Sequence, residues 1–390
     1  MTARRVTILG ATGSIGQSTL DVLRWAGGRD AAQIVAVTGH SNIDALAACA
    51  REFGAQIAVT ADPARYHDLK AALAGSGIEA AAGPDAVAEA ATRPTDWCMA
   101  AIVGAAGLAP TLAAAAQGAT VALANKECLV AAGDLFTAAC AVGGAKLLPV
   151  DSEHNAIFQV LDRAAPSALE RIILTASGGP FRDWDLARMA RATVAEAVAH
   201  PNWDMGAKIS IDSASMFNKA LEMIEAKHLF NLRPDQVEVI VHPQSIIHSM
   251  VGYVDGSVLA QLGAPDMRHA IGYAFHHPHR APMPVERLDF ARLARLDFRA
   301  PDEVRFPALR LAREAMAAGG LAGAVLNGAK EAALEAFIAG RIGFLQMADV
   351  VDEVLSALAP HGPAATLMDV TQADAAARRA AISGVRARAA

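Results

Sequence analysis

The chain has four cysteines in 390 residues, Cys49, Cys98, Cys128 and Cys140, and no two of them stand in a C-x-x-C spacing. That excludes a zinc ribbon and a redox dithiol. Scattered thiols in so long a chain fit a reducing compartment, so a cytoplasmic location is expected. Concentrated positive charge is missing as well. The net charge is −6, and no run of Lys and Arg is long enough to grip a phosphate backbone. A general nucleic-acid binder is thereby excluded. Long apolar runs are absent too. Val6 to Leu9, ahead of Gly10, is too short for the apolar part of a signal peptide. Trp97 to Asn125 carries no charge, but Gly104, Gly107, Pro110 and Gly118 interrupt it. Its apolar pieces read as strands flanking a helix, so no membrane span is expected. Aromatic residues are scarce at 5%, whereas hydrophobic residues reach 53%, chiefly through alanine. This is the composition of a folded enzyme rather than a disordered chain, and the length allows two or three domains.

What is present begins with a nucleotide signature. Val6-Thr-Ile-Leu9 is a β-branched run; Gly10-Ala-Thr-Gly13-Ser-Ile-Gly16 follows, then a helical pattern through Leu23. Strand, glycine turn and helix in that order let the backbone approach a pyrophosphate whose charge faces a helix N-terminus. The second strand, Ile34 to Val37, ends in Thr38-Gly39-His40-Ser41-Asn42 without the acid that holds a ribose 2′-hydroxyl in NAD enzymes. Small polar groups with a histidine favour NADP; a plain turn is the alternative. Further strands at 57–59, 99–103, 121–123 and 146–150, alternating with helices, predict a parallel, doubly wound sheet. Lys126, within Asn125-Lys126-Glu127, reads equally as a helix-start charge or as a ligand contact.

Asp151-Ser152-Glu153 places two carboxylates after the segment Lys146 to Val150, at a strand-to-helix turn on the edge where open α/β sheets bind ligands. Alone, the pair reads as a solvated turn with Asp151 as helix N-cap. Two carboxylates so close repel unless a cation or proton lies between them. Ser177-Gly-Gly-Pro-Phe181 ends another apolar strand in a glycine turn suited to an anion. His200-Pro-Asn-Trp203 reads as a loop of the kind that closes over ligands. In Lys208 to Glu222, a helix would put Asn218 with Glu222, and Ser215 with Lys219, on shared faces. Ser213, Asn218 and Lys219 are donors for a phosphate monoester. Glu222 added to Asp151 and Glu153 makes an all-oxygen set for Mg²⁺ or Mn²⁺. From residues alone, this is a metal-dependent NADP enzyme with a small phosphorylated substrate. Two alternatives are a two-domain NADP dehydrogenase whose carboxylates only move protons and an NADP-binding regulator without turnover.

His242 reads as a satisfied core histidine, His248 as bordering the pocket, and the cluster His276, His277, His279 lacks the partners of a metal site. Helical spacing recurs over 306–318, 322–339 and 347–359, and the Arg- and Ala-rich end after Gln372 reads as a frayed helix.

The blocks GATGSIG (10–16), NKE (125–127), VDSEHNAIFQ (150–159), SGGPF (177–181), HPNW (200–203), KISIDS (208–213), VHPQSIIHSM (241–250) and GAPDMR (263–268) resemble, in order, the 1-deoxy-D-xylulose-5-phosphate reductoisomerases. The resemblance implies that Asp151, Glu153 and Glu222 hold the metal, with Lys126 joining them as catalytic residues. It implies that Lys126, Ser152, Glu153, His200 and Glu222 contact the substrate, a small phosphorylated sugar, and that Ser177, Ser213, Asn218 and Lys219 hold its phosphate. Thr12, Gly13, Ser14, Ile15, Gly39, His40, Ser41, Asn125, Glu127 and Gly206 would line the NADPH site; Trp203 and Met205 would belong to a lid. A homodimer is implied as well. The expected fold is α/β: a Rossmann-like NADPH-binding domain over 1–149, a central α/β catalytic domain over 150–280, a linker over 281–301 and a helical bundle over 302–390. His40 stands where the family usually has lysine, Ala220 where it has glycine, Ser215 and Phe217 where it has threonine and methionine, and Asn327-Gly-Ala-Lys-Glu331 where it has NAANE. The last change is expected to touch packing more than chemistry.

Overall fold

The computed structural model describes residues 3–201, 203, 206–358, 362 and 364–389, so Met205 of the expected lid lies outside the described residues. Contacts divide the chain into two compact units: residues 1–128, 136–155 and 266–286 form unit one, and 129–135, 156–265 and 287–390 form unit two.

Unit one is built on seven strands, β1 (Arg4–Leu9), β2 (Ala32–Gly39), β3 (Ile57–Thr60), β4 (Glu79–Ala82), β5 (Trp97–Ala100), β6 (Thr120–Leu123) and β7 (Lys146–Pro149). Every ladder is parallel, in the order β4-β3-β2-β1-β5-β6-β7. The apolar β-branched runs predict most of these strands because a central parallel strand is covered on both faces. Val6, Ile8 and Leu9 of β1 are accordingly fully buried. β4 is the exception. Its sequence, Glu-Ala-Ala-Ala, has no strand propensity, and only pairing along β3 makes it extended. The order reverses between β1 and β5, the switch point at which such sheets bind ligands.

Unit two carries a mixed sheet, β8 (Leu169–Ala176), β9 (Val237–Val241), β10 (Ile247–Tyr253) and β11 (Val258–Leu262), in the order β11-β10-β8-β9. One apolar cluster joins Ile172 and Leu174 of β8, Phe217 and Ile224 of the helix Phe217–Leu229, and Leu309, Leu326, Val351 and Val385 of the C-terminal helices. The helical bundle is therefore part of the second sheet's core rather than a separate body. Its last helix, Leu367–Ala389, buries Val370, Ala377, Ala381 and Val385, so the segment after Gln372 is packed and not frayed.

The contact division differs from the expected boundaries at 149/150 and 281–301. The helix Arg268–His276 belongs to unit one, where the Trp97 indole donates to Ala274 O at 3.2 Å. Trp25 Nε1 donates to Pro282 O at 2.8 Å, so the start of the expected linker is pinned to unit one, and the chain enters unit two after Glu286.

Candidate active site

In unit one the glycine turn sits at the end of β1. Gly10 has φ +88°, and a Cβ there would lie 2.6 Å from Ala101 O, at the end of β5; a Cβ on Gly16 would lie 2.3 Å from Gly10 O. No side chain fits at either place, so the turn, the first helix and the switch point pack backbone to backbone. Gly13, by contrast, would meet only Gly10 O at 3.5 Å. It caps the helix Ser14–Trp25 with no side-chain bond, which leaves the dipole's positive end to backbone N–H groups. Thr12, Gly13, Ser14 and Ile15 all lie on this turn. Thr38 ties it to β2: Gly10 N donates to Thr38 Oγ1 at 2.9 Å and Ala11 N to Thr38 O at 2.7 Å. Gly39 packs on Thr12, and His40 and Ser41 follow, exposed. Asn42, by contrast, caps the next helix, accepting from Ala45 N at 3.1 Å.

Asn125 is buried, and its amide serves the protein itself: Nδ2 donates to Ile102 O and Gly104 O, and Oδ1 accepts from Cys128 N. It thus braces the turn after β5. Glu127 is buried at the start of the helix beyond. Gly206 belongs to unit two, at the N-cap of the helix Ala207–Ala214.

β6 and β7 pair with Leu123 opposite Pro149, so the residues just past their ends share the carboxyl edge of the sheet. Lys126 Nζ accordingly donates to Asp151 Oδ2 at 3.1 Å, with both side chains at most 15% exposed. Asp151 Oδ1 accepts from Glu153 N at 3.1 Å and His154 N at 3.4 Å, so Asp151 is the helix N-cap that the bland reading predicts. It is not a solvated turn, however. The fully buried His154 imidazole lies 3.4 Å from the same oxygen, and Ser152 Oγ donates to Glu153 Oε2 at 2.6 Å. Glu153 already lies in the first turn of the helix Ser152–Val160, which begins directly after Asp151.

In unit two, Ser177 ends β8 in a turn whose Gly179 has φ +63° and whose Cβ would lie 2.9 Å from Ser213 O. That close approach packs the turn after Ser177 against the helix Ala207–Ala214. Ser177 Oγ accepts from Gly179 N at 3.1 Å and lies 2.9 Å from His200 Nε2, while Trp203 N donates to His200 Nδ1 at 3.0 Å. The acceptor role of Nδ1 places the imidazole hydrogen on Nε2, so Ser177 accepts twice and keeps its own hydrogen for a further partner. Burial, reinforced by the Arg182 charge, pushes His200 below the ordinary histidine pKa, which favours this neutral form. Arg182 also donates to Ser177 O at 3.0 Å, a contact that nothing in the sequence pattern signals.

Met216, with φ +64°, breaks the chain between the helices Ala207–Ala214 and Phe217–Leu229. Ser215 therefore turns back to Ile211 O at 2.9 Å and shares no helix face with Lys219. The other predicted pair does form: Asn218 Nδ2 donates to Glu222 Oε1 at 2.5 Å, and Lys219 donates to Oε2. Glu222 is fully buried and Lys219 nearly so. Beneath Ser213, Lys330 Nζ donates to Asp212 Oδ2 at 2.9 Å, both side chains at most 10% exposed. The lysine in the NAANE-like block thus props the helix that carries a predicted phosphate donor. Sequence reading assigned it to packing because its partner lies 118 residues away.

His242 is buried and satisfied: Ile246 N donates to Nε2 at 3.2 Å, so Nδ1 carries the hydrogen and donates to Asp297 O at 2.9 Å. His248 is buried, its ring centroid 6.2 Å from that of Trp203.

Family models for 1-deoxy-D-xylulose 5-phosphate reductoisomerase match residues 6–133, 147–230 (C-terminal domain) and 262–380 (C-terminal domain). The chain belongs to this family. It is 69% identical over 378 residues to the 1-deoxy-D-xylulose 5-phosphate reductoisomerase of Sinorhizobium medicae, covering 97% of each chain, and 67% identical over 383 residues to that of Rhizobium meliloti, covering 98% of each. Among solved structures, the Zymomonas mobilis reductoisomerase in complex with NADPH is 52% identical, with a TM-score of 0.93 and 98% of this chain and 99% of that one covered. A DOX-P reductoisomerase in complex with NADPH, fosmidomycin and magnesium is 43% identical, with a TM-score of 0.94 and 98% of each chain covered. Among the described residues, no helix is long and apolar enough to cross a membrane.

Proposed function

We propose that this chain converts 1-deoxy-D-xylulose 5-phosphate to 2-C-methyl-D-erythritol 4-phosphate, a step toward isoprenoid precursors, using NADPH and a divalent cation. The observation that carries the reading is the carboxyl edge of the first sheet, where Asp151 caps a helix with one oxygen and meets Lys126 with the other. Membership of the reductoisomerase family supports it.

The residues present fit both groups. The glycine turn is a cradle that a Cβ at Gly10 or Gly16 would fill, above a helix end with no acid in its first turn. The carboxylates Asp151, Glu153 and Glu222 are the hard oxygen donors that Mg²⁺ or Mn²⁺ selects. The cation, when bound, supplies a Lewis acid to the ketone oxygen, and the dinucleotide supplies the hydride. Thr12 to Ile15, Gly39 to Ser41, Asn125, Glu127 and Gly206 form the cofactor side of this reading. Lys126 lends positive charge beside Asp151, and Ser152 offers a hydroxyl at the same turn. Ser177, Ser213, Asn218 and Lys219 anchor the phosphate, the neutral His200 orienting the Ser177 hydroxyl. Asn218 and Lys219 lie on the turn before Glu222 and bond its carboxylate, so phosphate anchoring and the third carboxylate are mechanically joined. Trp203 covers the substrate and helps keep water from the aldehyde formed before reduction. The protein works in the cytoplasm as a homodimer.

Incubation with 1-deoxy-D-xylulose 5-phosphate, NADPH and Mg²⁺, with the product identified by NMR, tests the proposal. The branched polyol phosphate is expected, and recovery of unchanged substrate refutes it.

A further inference from the structure

We propose that Arg65 gives this chain its preference for NADP over NAD, by holding the adenosine 2′-phosphate at the end of β2. The inference rests on the NADPH reading above and names the residue that sets its specificity. In dinucleotide folds the group past the second strand decides this choice: an acid selects the free 2′-hydroxyl, and a nearby arginine accepts the 2′-phosphate. Here that place is held by His40 and Ser41, neither of them acidic. The His40 side chain is exposed and makes no hydrogen bond among the described residues, so it offers a loosely held group.

Arg65 is held. β2 and β3 pair with Gly39 opposite Thr60, which makes the chain leaving β3 run beside the chain leaving β2. Thr60 Oγ1 donates to His40 O, and Ala61 N to Gly39 O at 2.8 Å. A short 3-10 turn, Pro63–Arg65, follows, capped by Asp62, whose carboxylate accepts from Ala64 N at 2.9 Å. Proline at its first position fixes the backbone further. The turn delivers the guanidinium to the nucleotide edge, where Nη1 donates to Ser41 O at 3.3 Å and Nε to Asp68 Oδ2 at 2.5 Å. Nη2 makes no hydrogen bond among the described residues. Two of the three nitrogens are thus anchored, and the third points a donor from a fixed plane, the geometry a phosphate oxygen requires.

Asp62 and Asp68 are the acids beside it. Asp62 spends an oxygen on its cap, and the Arg65–Asp68 pair is open to water, its side chains 40% and 57% exposed. A pair so screened contributes little, so Asp68 orients the guanidinium without cancelling its attraction for a dianionic phosphate.

The test measures dissociation constants of NADPH and NADH for the full-length protein without substrate, by nicotinamide fluorescence, in wild type, R65Q, R65K and H40Q. R65Q is expected to weaken NADPH by about 10- to 100-fold, the loss of one charge-assisted contact, with NADH held within about twofold. R65K, which keeps the charge but loses the fixed fork, falls between wild type and R65Q in preference, and H40Q changes the preference less than R65Q does. Equal weakening of both nucleotides by R65Q would mark a merely structural arginine and overturn the proposal. So would an unchanged NADPH-to-NADH ratio, or its loss in H40Q alone. A wild type without preference sinks the NADPH reading as well; a wild-type preference that survives R65Q sinks only this inference.

Discussion

Each oxygen of Asp151 has a different partner: Oδ1 receives the backbone N–H groups of Glu153 and His154, and Oδ2 faces the Lys126 ammonium. Substitution can separate the two roles. Asparagine caps helices as well as aspartate, so D151N is expected to melt within about 0.5 kcal/mol of wild type while losing divalent-metal binding, whereas D151A also loses about 1 kcal/mol of stability. Calorimetry of both variants with and without Mg²⁺ checks this; unchanged metal affinity in D151N would remove Asp151 from the ligand set. Glu222→Gln keeps the volume and the Asn218 contact yet removes the charge, so turnover should fall at least about 100-fold with NADPH affinity intact. His200 gives a pH dependence. Its folded pKa lies below the ordinary histidine value, so the unfolded chain takes up a proton first as pH falls. The contribution to stability is therefore complete above about pH 6.5 and is lost as pH drops toward the folded pKa. An NMR titration that found His200 charging above that value would contradict the neutral tautomer. Asp151 and Glu222 as candidate oxygen donors were legible from residue type and spacing, whereas the contacts of His200 were not. The partners at Lys126–Asp151 were not, because they depend on which strands pair. Nor were Arg65, Arg182 and Lys330, each a lone cation in an ordinary pattern.

Elements whose own pattern matches their burial were readable, and those defined by neighbours were not. β1, β2 and β6 show continuous apolar runs because both faces of a central strand are covered. β4 and the last helix are alanine-rich and give no comparable signal. In the helix Leu367–Ala389 the small side chains let backbones approach: a Cβ on Gly328 would lie 2.6 Å from Asp374 O. Gly328→Ala should therefore push two helices apart and cost about 1–3 kcal/mol, an overpacking penalty. Arg378 fixes the same contact through Glu331 and Asp374, with side chains 27%, 13% and 12% exposed. Arg378→Ala should cost a similar amount, since it leaves two half-buried carboxylates without their cation. Thermal melts that match wild type for both variants would contradict this packing. The break at Met216 was invisible for another reason: a methionine in the left-handed region is imposed by packing and not by a turn-forming residue.

At the scale of the molecule, chain order and spatial order diverge. Residues 266–286 return to the first unit after the second has begun, a path no composition shift marks. What composition did mark is the chemistry the protein avoids. All four cysteines are buried, and burial pushes Cys98 up to about 12 and Cys49 and Cys140 up to about 11. The folded protein is expected to resist alkylation at mildly alkaline pH and to label fully in urea; fast native labelling would contradict these burials. The central claim is that the chain carries out an NADPH-dependent rearrangement that requires a divalent cation. Nicotinamide absorbance followed with 1-deoxy-D-xylulose 5-phosphate, first with Mg²⁺ or Mn²⁺ and then with excess chelator, tests it most directly. The account predicts oxidation of NADPH that stops with chelator and returns when metal is restored. Oxidation that continues in chelator, or none with metal present, would contradict it.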